Sequence, residues 1–321
     1  MNSTTLNDVE EVYFYSVNTT AIIANILLIW LIVNENKSVH GNYVKLMLAF
    51  SAYNIAYPVL ASVVLTNVHS FENGVIYFPS REFLQNRGTL SYITSVILSN
   101  CFNGIKVLLL VLFVYRYRIM THVASLKKST GHLTESFFVF VAMHIVNNIL
   151  IYYIRPTDKD NEITREILAQ YGINSSDGSY VSFILWYLNE NNEKVYNWSR
   201  CVSVAMELAS IIFIMMTMIY LGWIIRKKLR EKHLSPKIKI IQSQIFNVLC
   251  IQIVVYFTTF FFPLILAGVA GYYGLNQFNI ANTIRVVRAL LPLLDAIVTI
   301  CFMTDFRKAV FRMIKSKEYQ K

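Results

Sequence analysis

Apolar residues gather along this chain into seven runs, at about 13–33, 44–66, 90–114, 134–154, 201–225, 243–270 and 280–303. Each is long enough to cross the ~30 Å core of a bilayer as a helix rising 1.5 Å per residue. The pattern predicts an all-α membrane protein, a seven-transmembrane helix bundle forming one domain over residues 1–321. The clearest run, 90–114, carries one charge, Lys106, and stops at Tyr115-Arg116-Tyr117-Arg118. Ser99, Asn103 and Lys106 recur at helical spacing and share a face. This segment reads as the central helix, with a polar inner stripe and a basic foot. No internal repeat is visible, so a transporter built from inverted repeats gains no support.

The polar stretches between the runs set the orientation. Residues 1–12 hold Asp8, Glu10 and Glu11 and no Lys or Arg, unlike a cleavable signal peptide. Stretch 115–133 carries Arg116, Arg118, Lys127 and Lys128 without an acid, and 226–242 carries Arg226, Lys227, Lys228, Arg230, Lys232, Lys237 and Lys239 against Glu231. The long stretch 155–200 is acidic, and 271–279 is uncharged. Lys and Arg thus mark the odd-numbered connections and the tail, which puts the N-terminus outside, the C-terminus in the cytosol and 155–200 in a long extracellular loop. Glycosylation tripeptides at Asn2, Asn174 and Asn197 fall on the outer side, whereas Asn36 falls inside and Asn18 close to the membrane. After the seventh run, Phe306, Val310, Met313 and Ile314 share one face and Arg307, Lys308, Arg312 and Lys315 point elsewhere. Residues 304–316 are expected to form a short amphipathic helix on the inner leaflet; the alternative is a frayed basic tail.

Composition sharpens this picture. The chain is 55% hydrophobic and 15% charged, against about 25% charged for a soluble protein. The net charge of +10 belongs to basic residues beside apolar runs, so membrane lipid rather than nucleic acid is the expected partner. The cysteines, Cys101, Cys201, Cys250 and Cys301, form no CxxC pair, and the histidines show no ligand spacing. No metal, cofactor or catalytic constellation is expected, and the chain does not read as an enzyme.

Ionisable residues inside apolar helices cost roughly 2.5–3.5 kcal/mol each on insertion scales, so they face protein or water. Here they are Lys106, Glu207, Arg285, Arg288 and Asp295. Lys106 and Asp295 lie at similar depths, roughly 22–24 Å below the outer surface. They are expected to pair in the inner half, unless water or carbonyls serve each separately. Arg285, Arg288, Pro292 and Asp295 share a face of the seventh run. Arg285 is expected to snorkel to the outer headgroups. Asn103, Glu207, Tyr256 and Arg288 are the candidates for lining an outward pocket; for Arg288 snorkelling stays open beside this. Pro58, Pro263 and Pro292 fall inside spanning runs and should kink them, as hinges or as fixed bends.

Several short motifs add to this. Gly41-Asn42-Tyr43, Val68-His69-Ser70, Tyr115-Arg116-Tyr117, Gln244-Ile245-Phe246, Gln252, Pro263, Pro292, Asp295 and Phe306-Arg307 occur in that order. Together they resemble the nematode seven-transmembrane chemoreceptors of the Str superfamily, and within it the serpentine receptor class j branch. Val68-His69-Ser70 resembles the family's second-helix end. Tyr115-Arg116-Tyr117 resembles its third-helix foot, standing where rhodopsin-like receptors carry Asp-Arg-Tyr. Two prolines of the pattern are replaced, by Tyr256 and Ala296, and no cysteine is placed for the disulfide usual in rhodopsin-like receptors.

The resemblance implies a G-protein-coupled-receptor-like fold. It also implies a chemosensory, olfactory-type function: detecting a small odorant-like or pheromone-like molecule and signalling through a heterotrimeric G protein, from the plasma membrane or sensory cilium of a neuron. On it, Tyr115, Arg116 and Tyr117 belong to the activation switch, and Lys227, Lys228 and Arg307 to the G-protein contact. A seven-helix ligand-gated channel or a small-molecule transporter is the alternative, and the channel would place the N-terminus inside.

Overall fold

The computed structural model describes residues 3–35, 42–71, 73–85, 87–121, 129–230, 236–263, 265 and 277–318. Asn2, Asn36, Lys37, Gly41, Lys127, Lys128, Lys232 and the end of the sixth run lie outside them. Seven long helices form the bundle: α1 (Ser3–Asn34), α2 (Asn42–Val64), α4 (Gly88–Thr121), α5 (Ser129–Tyr153), α7 (Trp198–Arg230), α8 (Pro236–Tyr256) and α9 (Gln277–Phe302). Between them lie α3 (Glu82–Gln85) and α6 (Asp158–Gln170), and α10 (Thr304–Glu318) follows the last. Five of the long helices contain stretches apolar enough to span a bilayer alone; α5 and α9 qualify together with the helix after a bend of 77° or 92°. The helix after α5 is the polar α6, so α5 itself supplies the span.

Helix α4 is the hub. It packs against α2, α5, α7 and α8, and 67% of its most apolar stretch is buried, against 33% for α7. Its approach to α2 depends on Gly104, where a Cβ would stand 2.3 Å from the Tyr53 ring; small residues admit such close helix crossings. Helix α1 packs against α2 and α9.

The prolines act differently from one another. Pro58 and Pro292 lie within helices that continue past them. Before Pro263, α8 widens into a π-turn over Phe257–Phe261, and the Phe262 N–H reaches back to the Phe257 carbonyl. A proline clashes with the carbonyl four residues earlier, and one wide turn relieves that conflict.

One end of the bundle carries a cap that the loop reading of 67–89 and 155–200 missed. Strands β1 (Thr66–Phe71) and β2 (Gly74–Pro79) form an antiparallel hairpin, joined by β3 (Val181–Ser182). The Val68-His69-Ser70 motif lies in β1, not at a helix end. A second hairpin pairs β4 (Trp186–Leu188) with β5 (Lys194–Tyr196). Ile76, Phe78, Leu168, Ile173 and Tyr180 form a small apolar core of its own. The bundle is all-α as expected; the strands belong to the cap.

Candidate functional site

The cap is locked to the bundle by Arg200 at the start of α7. Its guanidinium donates to both carboxylate oxygens of Asp160, to Ser182 Oγ at 3.1 Å and to the Arg155 carbonyl at 3.0 Å. Asp160 also accepts from the backbone N–H and hydroxyl of Thr157, whose side chain caps α6. Burial pushes the Asp160 carboxyl up, but the hydrogen bonds from Arg200 and Thr157 outweigh it and hold the group below its ordinary value. Arg285 joins the cap too. It donates to the Thr66 carbonyl at 3.2 Å and to Asn67 Oδ1 at 3.0 Å, so it is tied to β1 rather than extended to headgroups.

Below the cap lie the ionisable residues of the spanning helices. Lys106, 3% exposed, donates to Glu207 Oε1 at 2.6 Å. The expected Lys106–Asp295 pair is therefore not formed. Depth counting misled because it assumed that the helices enter level. Lys106 is eighteen residues into α4 and Glu207 nine into α7, a difference of roughly 13 Å for parallel, flush helices. Their contact shows that these are not flush. Asp295 instead accepts from Asn54 Nδ2 at 3.5 Å, and its other oxygen has no partner among the described residues. Nearby, Asn25 donates to the Pro292 carbonyl at 3.0 Å, and Ser51, Asn54 and Asn25 each keep an unpartnered buried oxygen. These groups form a polar seam between α1, α2 and α9.

Arg288 stands between rings. Its guanidinium lies 4.9 Å from the Phe260 centroid and 5.7 Å from that of Phe102. Tyr256, 1% exposed with an unpartnered hydroxyl, packs against Phe260 at 5.2 Å, and Tyr57 against Phe102 at 5.1 Å. Tyr256 and Arg288 thus share the Phe260 ring, while Glu207 is held by Lys106. Asn103 is not with them: it donates to Asn147 on α5, within a ladder that includes Asn100 and Asn148.

At the other end of the bundle Arg116 is 4% exposed. It donates to Gln242 Oε1 on α8 at 2.8 Å and sits 3.5 Å over the Tyr43 ring of α2. Tyr115 stacks on the same ring at 6.0 Å. Arg116, Met120, Ile225, Gln242, Phe246 and Leu249 meet in a closely packed cleft between α4, α7 and α8. Tyr117 is half-buried beside them and Lys227 is exposed, its ammonium 5.9 Å from the Trp223 ring. Lys228 shares the last turns of α7, and exposed Arg307 donates to the Cys301 carbonyl at 3.4 Å. Helix α10 buries Phe306, leaves Ile314 exposed, and places Arg312 at 2.7 Å from Glu35. Among the described residues, no three of His, Cys, Asp and Glu are grouped as a metal would need.

A family profile described as the serpentine type 7TM GPCR chemoreceptor Str matches residues 11–311. The chain belongs to that family. This is the superfamily to which the motifs pointed, and the matched description is Str itself rather than class j. The chain is 26% identical to the serpentine receptor class r-10 of Caenorhabditis briggsae, over 96% of this chain and 90% of that one. It is 21% identical to the G-protein coupled receptor str-33 of Caenorhabditis elegans, over 91% and 86%. Membership makes this Str-family protein a seven-helix chemoreceptor of the membrane, a receptor rather than an enzyme by family.

Proposed function

We propose that this Str-family receptor detects a small environmental or pheromone-like molecule in the pocket of Glu207, Tyr256 and Arg288, and signals through a heterotrimeric G protein at its basic end. The observation that carries this reading is one helix serving both ends. Helix α8 holds Tyr256 at the pocket and Gln242 at the bond that keeps Arg116 buried. A shift of α8 that a ligand induces at Tyr256 is felt at Gln242, and release of Arg116 parts the close packing between α4, α7 and α8 for a partner. Tyr115 and Tyr117 flank this switch, and Lys227, Lys228 and Arg307 present charge to the partner. The π-turn before Pro263 carries Phe260, the ring shared by Tyr256 and Arg288, so a ligand there acts directly on the irregular turn of this helix.

In this reading the capped end and the N-terminus face outside, and α10 lies on the inner leaflet with the C-terminus in the cytosol. The membrane is the plasma membrane, including that of a sensory cilium. Asn174 is exposed whereas Asn197 is half-buried, so Asn174 is the better sugar acceptor.

The test is a G-protein reporter in cells expressing the receptor, with epitopes on both termini read before and after permeabilisation. Arg116→Ala should reach the surface and lose ligand-evoked signal, and Gln242→Ala should raise the signal without ligand. A ligand-evoked current that persists without G protein would move the channel reading into first place, as would an N-terminal epitope reached only after permeabilisation.

A further inference from the structure

The pocket's charges do not balance. Lys106 and Glu207 neutralise each other at 2.6 Å. Arg288 remains. Among the described residues no carboxylate lies within 4.0 Å of its guanidinium, and its buried Nε–H has no acceptor. A guanidinium stays protonated at any relevant pH. Arg288 is half-buried, and holding a partly desolvated cation without a counter-charge is unfavourable; the faces of Phe102 and Phe260 offset only part of that. Beside it the Tyr256 hydroxyl is a second buried donor without an acceptor. The site therefore offers a positive charge and two free donors, walled by Tyr57, Phe102, Tyr256 and Phe260.

We infer that the ligand of this pocket is a small soluble organic anion, a carboxylate with a short apolar body, held by Arg288 and Tyr256. The inference rests on the reading of this pocket as the ligand site. A carboxylate accepts two parallel N–H bonds from a guanidinium fork. One of its oxygens also lies open to the Tyr256 O–H, and the aromatic walls cover the apolar part. A neutral carbonyl compound would satisfy a donor but leave the charge uncompensated. An amine would be repelled by Arg288 and would find Glu207 already bound to Lys106. A sulfonate shares the carboxylate's charge, and the phosphate of an anionic lipid shares it too.

The experiment uses the full-length receptor in phosphatidylcholine nanodiscs, with thermal stability as the binding readout, so that it needs no G protein. The probes are butyrate, hexanoate and benzoate, their methyl esters, the matching sulfonates, butylamine, and phosphatidylserine added to the disc. Stabilisation by acids or sulfonates but not by esters supports the inference. Arg288→Ala should weaken that binding about ten- to hundredfold, Arg288→Lys should restore part of it, and Tyr256→Phe should lower it several-fold. If Arg288→Ala fails to fold, Tyr256→Phe and Arg288→Lys carry the test. Equal stabilisation by acid and ester, stabilisation by phosphatidylserine alone, or no stabilisation by any acid overturns the inference. Acid binding without a reporter response in cells would instead leave the anion site standing and remove G-protein signalling.

Discussion

Two buried ion pairs in this receptor use the same chemistry for different ends. In the cap, Arg200 and Asp160 are 1% and 4% exposed at their side chains, and between them they contact Ser182, Arg155 and Thr157. In the bundle, Lys106 is 4% exposed but Glu207 is 32% exposed, and the pair rests on one hydrogen bond. A planar fork bound on several sides is fixed. A single ammonium–carboxylate contact with one wet partner can open. The first pair suits a staple that joins cap to bundle where rhodopsin-like receptors use a disulfide; the second suits a wall that a ligand can rearrange.

The strongest way to break this contrast is to remove the staple. Arg200→Ala leaves Asp160 buried and uncompensated, a loss of about 3–5 kcal/mol, and little folded receptor should reach the surface. Arg200→Lys should recover only part, because an ammonium cannot reproduce the two-pronged bond. Flow cytometry of a tagged receptor reads both. Surface levels equal to wild type for Arg200→Ala would remove the distinction between the pairs.

The bundle pair should respond less and unequally. Glu207→Ala strands the ammonium of Lys106 inside the protein, whereas Lys106→Ala leaves a carboxylate that already reaches water. The second should cost about 1–3 kcal/mol and the first more, both less than Arg200→Ala. Unfolding midpoints of the purified variants test the order. Exchanging the pair, Lys106→Glu with Glu207→Lys, should bring back most of the stability lost in Glu207→Ala. The same exchange made with Asp295 in place of Glu207 should bring back nothing.

These pairs also show how far the sequence could be read. The seven helices were legible because membrane spans write themselves as long apolar runs. Lys106 and Glu207 were visible as rare intramembrane charges, and opposite charge on facing helices was the signal that would have paired them. Depth counted along each helix favoured Asp295 instead, since nothing in a sequence fixes how helices stagger. Asn54, the actual neighbour of Asp295, was overlooked because an uncharged amide is unremarkable in a helix. The staple was not legible at all. Arg200 and Asp160 are forty residues apart, in a stretch whose charges served only to set orientation. One cap signal was available: Asn73-Gly74 beside β-branched and aromatic residues is a hairpin pattern.

The smallest expected effect sharpens the comparison from the side of pH. Asp160 titrates below its ordinary value because Arg200 and Thr157 favour its charged form. Such a group adds stability above its unfolded pKa, about 3.9, and loses it as pH falls through the folded value. The cap should therefore be insensitive between neutrality and mild acid, and should weaken only below about pH 4. Hydrogen exchange of the backbone amides of α6 and β3, followed in detergent as pH is lowered and corrected for intrinsic rate, would show this as a loss of protection confined to strong acid. Asp160→Asn should lose protection at neutral pH already and show a flatter acid response. A cap that loosened between pH 7 and 5 would mean that another group governs it, and His69, half-buried in β1 with a pKa lowered by burial, would be the group to replace next.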